Sequence, residues 1–219
     1  MMDDLFEDQT PWLPERQALG PGSVLLRQQL NAQADQLMRE ITALTAEYPL
    51  QHMVTRGGHA MSVATASCGH YGWVSDAVHG YRYATTDPAT GLPWSPIPAH
   101  WLTLARALAE EAGYPGFIPD SALINRYAAG ARMGLHQDRD EATLDWPIVS
   151  LSLGLPARFM FGGPTRQSPV VDVPLLHGDV VVWGGTDRLR FHGIRPLKDG
   201  HHSLTGPYRY NLTFRRVQP

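Results

Sequence analysis

A single cysteine, Cys68, and a single lysine, Lys198, occur among the 219 residues. One cysteine excludes a disulfide framework and a cysteine-rich zinc module, so we expect a protein of a reducing, cytoplasmic compartment. The chain also lacks any run of 18 apolar residues, and its acidic start, Met1–Asp8, has no basic region followed by an apolar stretch. We therefore expect neither a signal peptide nor a membrane span.

Positive charge is scarce in the first part of the chain. Residues 1–125 carry six Arg and 13 Asp or Glu, a net charge of −7, whereas residues 126–219 carry 12 Lys or Arg and eight Asp or Glu, a net charge of +4. The overall charge of −3 argues against a general nucleic-acid binder, but the second half is a candidate for contact with anions. Arg supplies 17 of the 18 basic residues, which favours bidentate recognition of carboxylates or phosphates; genome composition is the alternative explanation.

Apolar residues recur at helical spacing in two places. The first predicted helix has the apolar positions Ala34, Leu37, Met38, Ile41 and Leu44. The second begins near Pro98 and has the apolar positions Trp101, Leu104, Ala105, Leu108 and Ala112. Asn31 is the predicted N-cap of the first helix, and Gly113 lies where the second should end. The segment before the first helix is predicted to be an irregular arm.

After about Pro119 the pattern changes to short β-rich runs separated by Gly, Pro and Asp. Their spacing is typical of a sandwich or barrel, and we predict a jelly roll with the helices packed outside it. Between the helices, Gln51–Tyr83 is predicted to form hairpins and mobile loops, a candidate lid. The predicted strands are Ala122–Tyr127, Ile148–Leu153, Arg158–Phe161, Val170–Val173, Val180–Trp183, Phe191–Arg195 and Tyr208–Phe214.

His136 and Asp138 are two residues apart in an extended segment, so both side chains can bind one metal ion. A further His on a neighbouring strand would complete a set of two His and one carboxylate, which leaves three positions of an octahedral Fe(II) free. His192 is placed for this role. A second H-x-D, His177-Gly178-Asp179, lies between an apolar run and the predicted strand Val180–Trp183, and it is better explained as a tight turn.

Arg209 and Arg215 are six residues apart in a strand pattern, so their side chains share one face. Arginines that point into a barrel need anionic partners, and a dicarboxylate would satisfy both. Alternatively, the two arginines lie on a solvated face, and Tyr210, Leu212 and Phe214 form the buried set. The alternation by itself leaves both orientations open.

Ordered motifs along the chain resemble the AlkB family of bacterial Fe(II)/2-oxoglutarate-dependent dioxygenases, which repair alkylated bases in DNA. The motifs are Met61-Ser-Val-Ala, Cys68-Gly-His, Gly72-Trp73, Asn125-Arg-Tyr127, His136-Gln-Asp138-Arg-Asp140-Glu141, Ser150-Leu-Ser-Leu-Gly154, His192-Gly-Ile and Arg209-Tyr-Asn-Leu-Thr-Phe-Arg215. The similarity extends from about Trp12 to Arg216, nearly the whole chain.

The resemblance implies an α+β, mostly β fold: a double-stranded β-helix (jelly roll) core, N-terminal helices and a nucleotide-recognition lid of hairpins and loops. The arm, the helices and the lid would occupy residues 1–119, and the catalytic core would occupy residues 120–219. Fe(II) would be the cofactor, with 2-oxoglutarate and O2 as cosubstrates. No feature of the sequence indicates an oligomer, so we expect a monomer.

The resemblance also assigns residues to each cosubstrate. The residues implied to hold the iron are His136, Asp138 and His192. The residues implied to bind 2-oxoglutarate are Asn125, Tyr127, Arg209 and Arg215. Arg209 would pair with the distal carboxylate, and Arg215, which is implied to be catalytic with the three iron ligands, would lie near the metal-side carboxylate and Asp138.

The family reaction couples decarboxylation of 2-oxoglutarate to hydroxylation of the alkyl carbon on a base nitrogen, and it releases formaldehyde. The implied substrates are N-alkylated bases such as 1-methyladenine and 3-methylcytosine in DNA. Single strands would be preferred because the base must leave the stack, and RNA is a second candidate. The residues implied to bind substrate are Thr55, Trp73, Tyr81, Asp140, Glu141 and Arg166. Trp73 and the His136 ring would stack on the base, and Asp140 would favour cationic bases.

Three positions depart from the family pattern. Thr65 stands where a close family member has Met, Val74–Gly80 contains one extra residue, and Arg139 replaces a Lys. The first two fall in the lid, so they concern substrate range rather than iron or 2-oxoglutarate. The alternative function is a dioxygenase of the same core that acts on a protein or a small molecule. A metal-binding module or nucleic-acid binder without oxidative activity is a third hypothesis.

Overall fold

A computed structural model of the chain describes residues 14–219. The acidic segment Met1–Asp8 and the start of the family resemblance at Trp12 lie outside the described residues. The helices are α1 (Ala34–Glu47) and α2 (Ala99–Glu111), and a single 3-10 turn spans Gly185–Asp187. The strands are β1 (Arg16–Gly20), β2 (Ser23–Leu26), β3 (Ala64–Gly69), β4 (Gly72–Asp76), β5 (Gly80–Ala84), β6 (Ser121–Tyr127), β7 (Met133–His136), β8 (Ile148–Gly154), β9 (Ala157–Phe161), β10 (Val171–Leu175), β11 (Val180–Trp183), β12 (His192–Ile194) and β13 (Arg209–Arg215).

The strands form two larger antiparallel sheets and one hairpin. The seven-stranded sheet has the order β1-β2-β11-β8-β13-β6-β3, and the four-stranded sheet has the order β10-β9-β12-β7. Strands β4 and β5 pair only with each other among the described residues. This arrangement confirms the predicted mostly-β jelly roll with helices outside it. Each of the seven predicted strands overlaps a strand of the structure.

Two apolar layers hold these elements together. One layer packs α1 and α2 against the outer face of the seven-stranded sheet, and it includes Leu37, Ile41, Trp101, Leu212 and Phe214. The second layer lies between the two sheets, and its residues include Tyr127, Phe159, Val173, Val181 and Ile194. Since the seven-stranded sheet is covered on both faces, its strands carry buried residues at successive positions. Neither helix described by the structure is long and apolar enough to cross a membrane.

One of the two predicted helix boundaries was correct, and the other was wrong. Gly113 follows the end of α2 with a positive φ of 97°, as predicted for a residue just beyond a helix. The prediction of Asn31 as an N-cap was wrong, because α1 is preceded by Gln33, which makes no side-chain cap bond. Asn31 lies in a turn before the helix, and its side-chain oxygen packs against Gly178 between β10 and β11.

The predicted irregular arm is also wrong for residues 16–26. These residues form the hairpin β1–β2, and β2 pairs with β11 at the edge of the larger sheet. The predicted lid, Gln51–Tyr83, belongs partly to the larger sheet and partly to a separate hairpin. Its strand β3 pairs with β6 in the larger sheet, whereas β4 starts the separate hairpin with β5.

Candidate active site

His136 and His192 face each other across two paired strands. His136 ends β7, His192 begins β12, and the two residues are direct partners in the antiparallel register. Their ring centroids are 4.3 Å apart. Asp138 follows β7 by two residues, and ligand atoms of the three side chains all lie within 4.8 Å of one another. The sequence-predicted triad is therefore assembled in space.

The close approach of β7 and β12 depends on Gly193. A Cβ atom at this position would lie 2.6 Å from the carbonyl oxygen of Met133 and 2.9 Å from that of Gly134. Both distances are shorter than van der Waals contact, and both oxygens belong to the backbone of β7. Glycine is thus required beside His192 for the two strands to lie this close.

Both imidazole rings are oriented by backbone carbonyls. Nδ1 of His136 lies 2.9 Å from the Gly134 oxygen, and Nδ1 of His192 lies 3.0 Å from the Arg190 oxygen. Each Nδ1–H therefore donates to a carbonyl, which leaves Nε2 with a free lone pair for a metal. Burial and the neighbouring His136 lower the pKa of His192 to about 4, so its ring is neutral, as a metal ligand must be.

The third ligand is kept ionised by an arginine. Burial alone would raise the pKa of Asp138, but the Arg215 guanidinium and the two histidines hold it well below its usual range. Arg215 donates from Nε and Nη2 to Asp138 Oδ2 at 3.0 and 2.6 Å. Two imidazoles and one carboxylate on one side of a cavity form the ligand set that Fe(II) oxygenases use, so these residues fit an iron centre. Burial would lower the pKa of His136, but the hydrogen bond and charge of Asp138 raise it, and a bound metal ion would take the place of that proton.

The second H-x-D segment is a turn, as predicted. Gly178 has a positive φ of 85°, and Asp179 is completely buried. Asp179 pairs with Arg27 at 2.6 Å and accepts the backbone N–H of Leu176. Its carboxylate links Arg27, just after β2, to the turn before β11. Asp179 is therefore not part of the metal-binding group.

Arg209 and Arg215 both point into the space between the sheets, since Leu212 and Phe214 on the same strand pack toward the helices. The orientation that the sequence left open is therefore the buried one. Arg209 donates from Nη2 to Ser152 Oγ at 3.0 Å and lies over the Tyr127 ring. Its Nε and Nη1 have no hydrogen-bond partner among residues 14–219.

An unpaired buried guanidinium is costly, and burial lowers the pKa of Arg209. A carboxylate ligand would satisfy its free donors. The wall beside it is polar: Asn125 Nδ2 donates to Asn211 Oδ1 at 3.0 Å, and Asn211 Nδ2 donates to Ser150 Oγ at 2.8 Å. The donors therefore fit a bound dicarboxylate such as 2-oxoglutarate.

One cavity of about 700 Å³ joins all of these groups. Every site residue expected from the sequence lines it: Thr55, Trp73, Tyr81, Asn125, Tyr127, His136, Asp138, Asp140, Glu141, Arg166, His192, Arg209 and Arg215. The cavity thus connects the metal-binding triad and the free Arg209 with the residues expected to contact substrate.

The outer part of the cavity carries aromatic and charged groups. Trp73 stacks on Tyr81, with ring centroids 5.2 Å apart and planes 17° from parallel. Asp140 lines the same cavity as Trp73. Burial and the negative charges of Glu141 and Asp138 raise the pKa of Asp140. Arg166 lies over the Phe191 ring at 5.0 Å.

Glu141 has a different environment from Asp140. It is 8% exposed, and its carboxylate accepts a hydrogen bond from Tyr83 Oη at 2.8 Å. Arg188 Nη2 lies 3.0 Å and Arg215 Nε 3.4 Å from its oxygens. Its charge is therefore balanced inside the protein.

Sequence reasoning missed four cavity-lining aromatic residues, Tyr83, Phe159, Trp183 and Phe191. Tyr83 lies two residues after Tyr81 in β5, so the alternation of a strand would have placed both on one face. Trp183 ends β11, in which every residue is apolar. The sequence of this strand has no alternation of polar and apolar residues, so it does not show which side chains face the cavity. The Trp183 indole lies edge-on to His192 with ring centroids 4.9 Å apart.

A jelly roll with this triad and a free buried arginine beside it defines an iron- and 2-oxoglutarate-dependent oxygenase. The family model described as the 2OG-Fe(II) oxygenase superfamily matches residues 22–215, and the chain belongs to this superfamily and, within it, to the AlkB dioxygenases. The evidence for the narrower group is similarity to two proteins named alpha-ketoglutarate-dependent dioxygenase AlkB. The chain is 50% identical to that of Salmonella typhimurium and 51% identical to that of Escherichia coli, in each case over 99% of this chain and 98% of the relative.

A solved structure agrees with this assignment. The structure of OsALKBH1 superposes with a TM-score of 0.82 at 28% sequence identity, and the match covers 92% of this chain and 99% of that one. The chain is therefore a dioxygenase that depends on Fe(II) and 2-oxoglutarate and uses O2 as cosubstrate.

Proposed function

We propose that this dioxygenase dealkylates N-alkylated bases, such as 1-methyladenine and 3-methylcytosine, in DNA, with single strands preferred and RNA as a second substrate. The observation that carries the proposal is that Trp73 and Asp140 line the same cavity as the metal-binding triad. An aromatic ring beside a carboxylate suits a flat, cationic ligand, and an alkylated base of this kind is both flat and cationic.

The inner residues would bind the cosubstrates. His136, Asp138 and His192 would hold the iron, and Arg209 would bind the distal carboxylate of 2-oxoglutarate with Asn125 and Tyr127 beside it. Bound iron, 2-oxoglutarate and O2 supply the oxidation that hydroxylates the alkyl carbon while 2-oxoglutarate is decarboxylated to succinate. Arg215 keeps Asp138 ionised and oriented, which supports its place among the catalytic residues.

The outer residues would select the base. Trp73 and the His136 ring both line the cavity, and a base that left the strand would stack on them. The carboxylate of Asp140 is exposed, lines the same cavity and creates a negative field there. A cationic alkylated base is attracted by that field, whereas an unmodified neutral base is not.

Three residues at the outer part of the cavity would contact the strand. Arg166 supplies positive charge, Tyr81 is 49% exposed, and Thr55 belongs to the loop before β3. Contacts of such groups with phosphates position a strand without reading its sequence. We propose in addition that the protein acts in the cytoplasm as a monomer, with residues 1–119 as the arm, helices and lid and residues 120–219 as the catalytic core.

The test is mass spectrometry of a short single-stranded oligonucleotide that carries one 1-methyladenine, after incubation with the protein, Fe(II), 2-oxoglutarate and ascorbate in air. We expect loss of the methyl group with release of formaldehyde and succinate, and none of these with His136→Ala. Succinate without demethylation would overturn the nucleic-acid substrate and leave a protein or small-molecule substrate for the same core. A double-stranded and an RNA version of the oligonucleotide would test strand and sugar preference.

A further inference from the structure

Tyr83 and Glu141 form a contact between the β4–β5 hairpin and the loop that follows the iron ligand Asp138. We propose that Tyr83 is a positioning residue: by its hydrogen bond to Glu141 it holds the hairpin so that Trp73 can stack on the substrate base. The inference rests on the proposed function, and it assigns Tyr83 a role through Trp73 rather than a contact with substrate.

The register of the hairpin makes this role possible. Trp73 in β4 and Tyr83 in β5 are direct partners, so their backbones are fixed side by side. The Tyr83 hydroxyl donates to Glu141 at 2.8 Å, and the Trp73 side chain lines the same cavity as Asp140. Strands β4 and β5 pair with no other strand among residues 14–219. Ser67 bonds to the Trp73 backbone and Ser75 donates to the Val54 oxygen, which holds β4, and the Tyr83–Glu141 bond ties β5 to the loop that follows Asp138.

Glu141 and Asp140 differ in how firmly the protein holds them. Glu141 is buried and is held on its other side by Arg188 and Arg215. Arg188 also donates to the backbone oxygens of Asp138 and Trp146, so the loop itself is fixed. Asp140, by contrast, is exposed, and it is the residue proposed to meet the base. The Tyr83–Glu141 contact is therefore independent of the residues proposed to meet the base, and it can hold β5 beside Trp73 while the substrate engages Trp73 and Asp140.

The variant Tyr83→Phe removes one hydroxyl and keeps the ring. We expect it to bind the 1-methyladenine oligonucleotide about tenfold more weakly, since a hydrogen bond to a charged group is lost and β5, with its register partner Trp73, is held less firmly. Fluorescence anisotropy on the metal-free protein measures this without turnover. In the iron-loaded enzyme the KM for the oligonucleotide should rise by a similar factor, while kcat and the KM for 2-oxoglutarate stay within about twofold.

Tyr114→Phe is the matched control, because Tyr114 also donates one hydroxyl hydrogen bond, to the Gly22 oxygen at 2.7 Å, away from the cavity. It should lower the melting temperature about as much as Tyr83→Phe and leave oligonucleotide affinity unchanged. A double-mutant cycle tests the route of the effect: in a Trp73→Ala background, Tyr83→Phe should change affinity by less than about twofold.

Three results would overturn the inference. Unchanged affinity in Tyr83→Phe would show that the hydroxyl does not position the hairpin, and additive effects with Trp73→Ala would show that Tyr83 acts independently of Trp73. An equal loss of affinity in Tyr114→Phe would show a general effect of stability. If the wild-type protein removes no methyl group, the proposed function fails and this inference with it, whereas demethylation by the wild type with unchanged binding in Tyr83→Phe rejects the inference alone.

Discussion

Arg209 and Arg215 lie on the same face of one strand, and they differ in what neutralises them. Arg215 is paired with Asp138, and its pKa is raised because the attraction of Asp138, Tyr83 and Glu141 outweighs the effect of burial. Arg209 has no carboxylate beside it among the described residues, and two of its nitrogens are unpartnered. The protein thus neutralises one arginine internally and leaves the other for a ligand.

Arg209→Gln should weaken binding of 2-oxoglutarate by about 3 kcal/mol, more than a hundredfold, because a buried guanidinium–carboxylate contact is lost. The measurement is calorimetric titration of 2-oxoglutarate into protein loaded with redox-inactive Zn(II). Arg195→Gln serves as the control, since Arg195 forms an exposed pair with Asp172 and should leave the affinity unchanged. Affinity within threefold of the wild type in Arg209→Gln would contradict the assignment.

At the scale of elements, the distance between β7 and β12 decides whether a metal site exists. His136 and His192 come from different strands, and only the close packing over Gly193 brings their Nε2 atoms to one point. A side chain at this position would collide with two backbone oxygens of β7, and these oxygens cannot move unless the strand itself moves.

Gly193→Ala should therefore reduce metal affinity at least tenfold while the overall fold persists, because separation of the two histidines weakens chelation. Titration with Co(II), followed by its visible absorption, measures the affinity, and circular dichroism checks the fold. Gly134→Ala is the matched control, since a Cβ atom there would meet nothing within 4 Å. Equal affinities of the two variants would disprove the requirement for glycine at 193.

The contact between α1 and α2 depends on Glu40. Its carboxylate lies 2.9 Å from His100 Nδ1 and accepts a hydrogen bond from Trp101 Nε1 at 2.7 Å. Burial by itself raises the pKa of Glu40, but hydrogen bonds from His100, Gln36 and Trp101 outweigh it, and the pKa lies below its ordinary value of 4.5. A lowered pKa in the folded state means that the ionised carboxylate stabilises the fold above pH 4.5, and that this stability is lost as the pH falls through the lowered pKa.

Glu40→Gln should lower the free energy of unfolding by about 1 kcal/mol at pH 7, and the difference from the wild type should shrink as the pH falls below about 4.5. Urea unfolding at several pH values measures the difference in the free energy of unfolding between the variant and the wild type. Glu110→Gln, at an exposed position on α2, should be neutral throughout. A difference that grew toward acid pH would contradict the sign of the shift.

At the scale of the whole molecule, net charge is a poor guide to the surface that meets a polyanion. The chain carries −3, yet Arg132, Arg139 and Arg166 line the cavity. Local positive charge of this kind binds phosphates and releases their counterions whatever the total charge is.

We therefore expect oligonucleotide affinity to fall as salt rises, with a linear plot of log K against log salt. Arg166→Gln should make the slope shallower by about 0.7, the value for one phosphate on a single strand. Anisotropy titrations between about 50 and 200 mM salt measure both slopes, with Arg106→Gln on the exposed side of α2 as the control. An affinity that stays constant over this range would exclude phosphate contacts.

The candidate site was predicted better than the fold around it. The H-x-D pair and the H-G segment are local patterns, and the site residues named from the family motifs all line the cavity. Asn31 was misplaced because its side chain packs against Gly178, which is distant in sequence. The strands β1 and β2 were missed because β2 owes its extended structure to pairing with β11, and no periodicity within residues 16–26 shows that partner.

Patterns along the chain were enough to predict seven strands of the core, the metal-ligand types, the surplus of arginine in the second half and the family. Spacing and residue chemistry are local, so they can be read along the chain. Which face of β13 is buried became known from the packing of the two sheets and the helices, since Arg209 and Leu212 alternate equally well in either orientation. The tertiary structure also placed Tyr83 against Glu141, 58 residues apart, because such contacts depend on how the hairpin packs and not on any pattern within it.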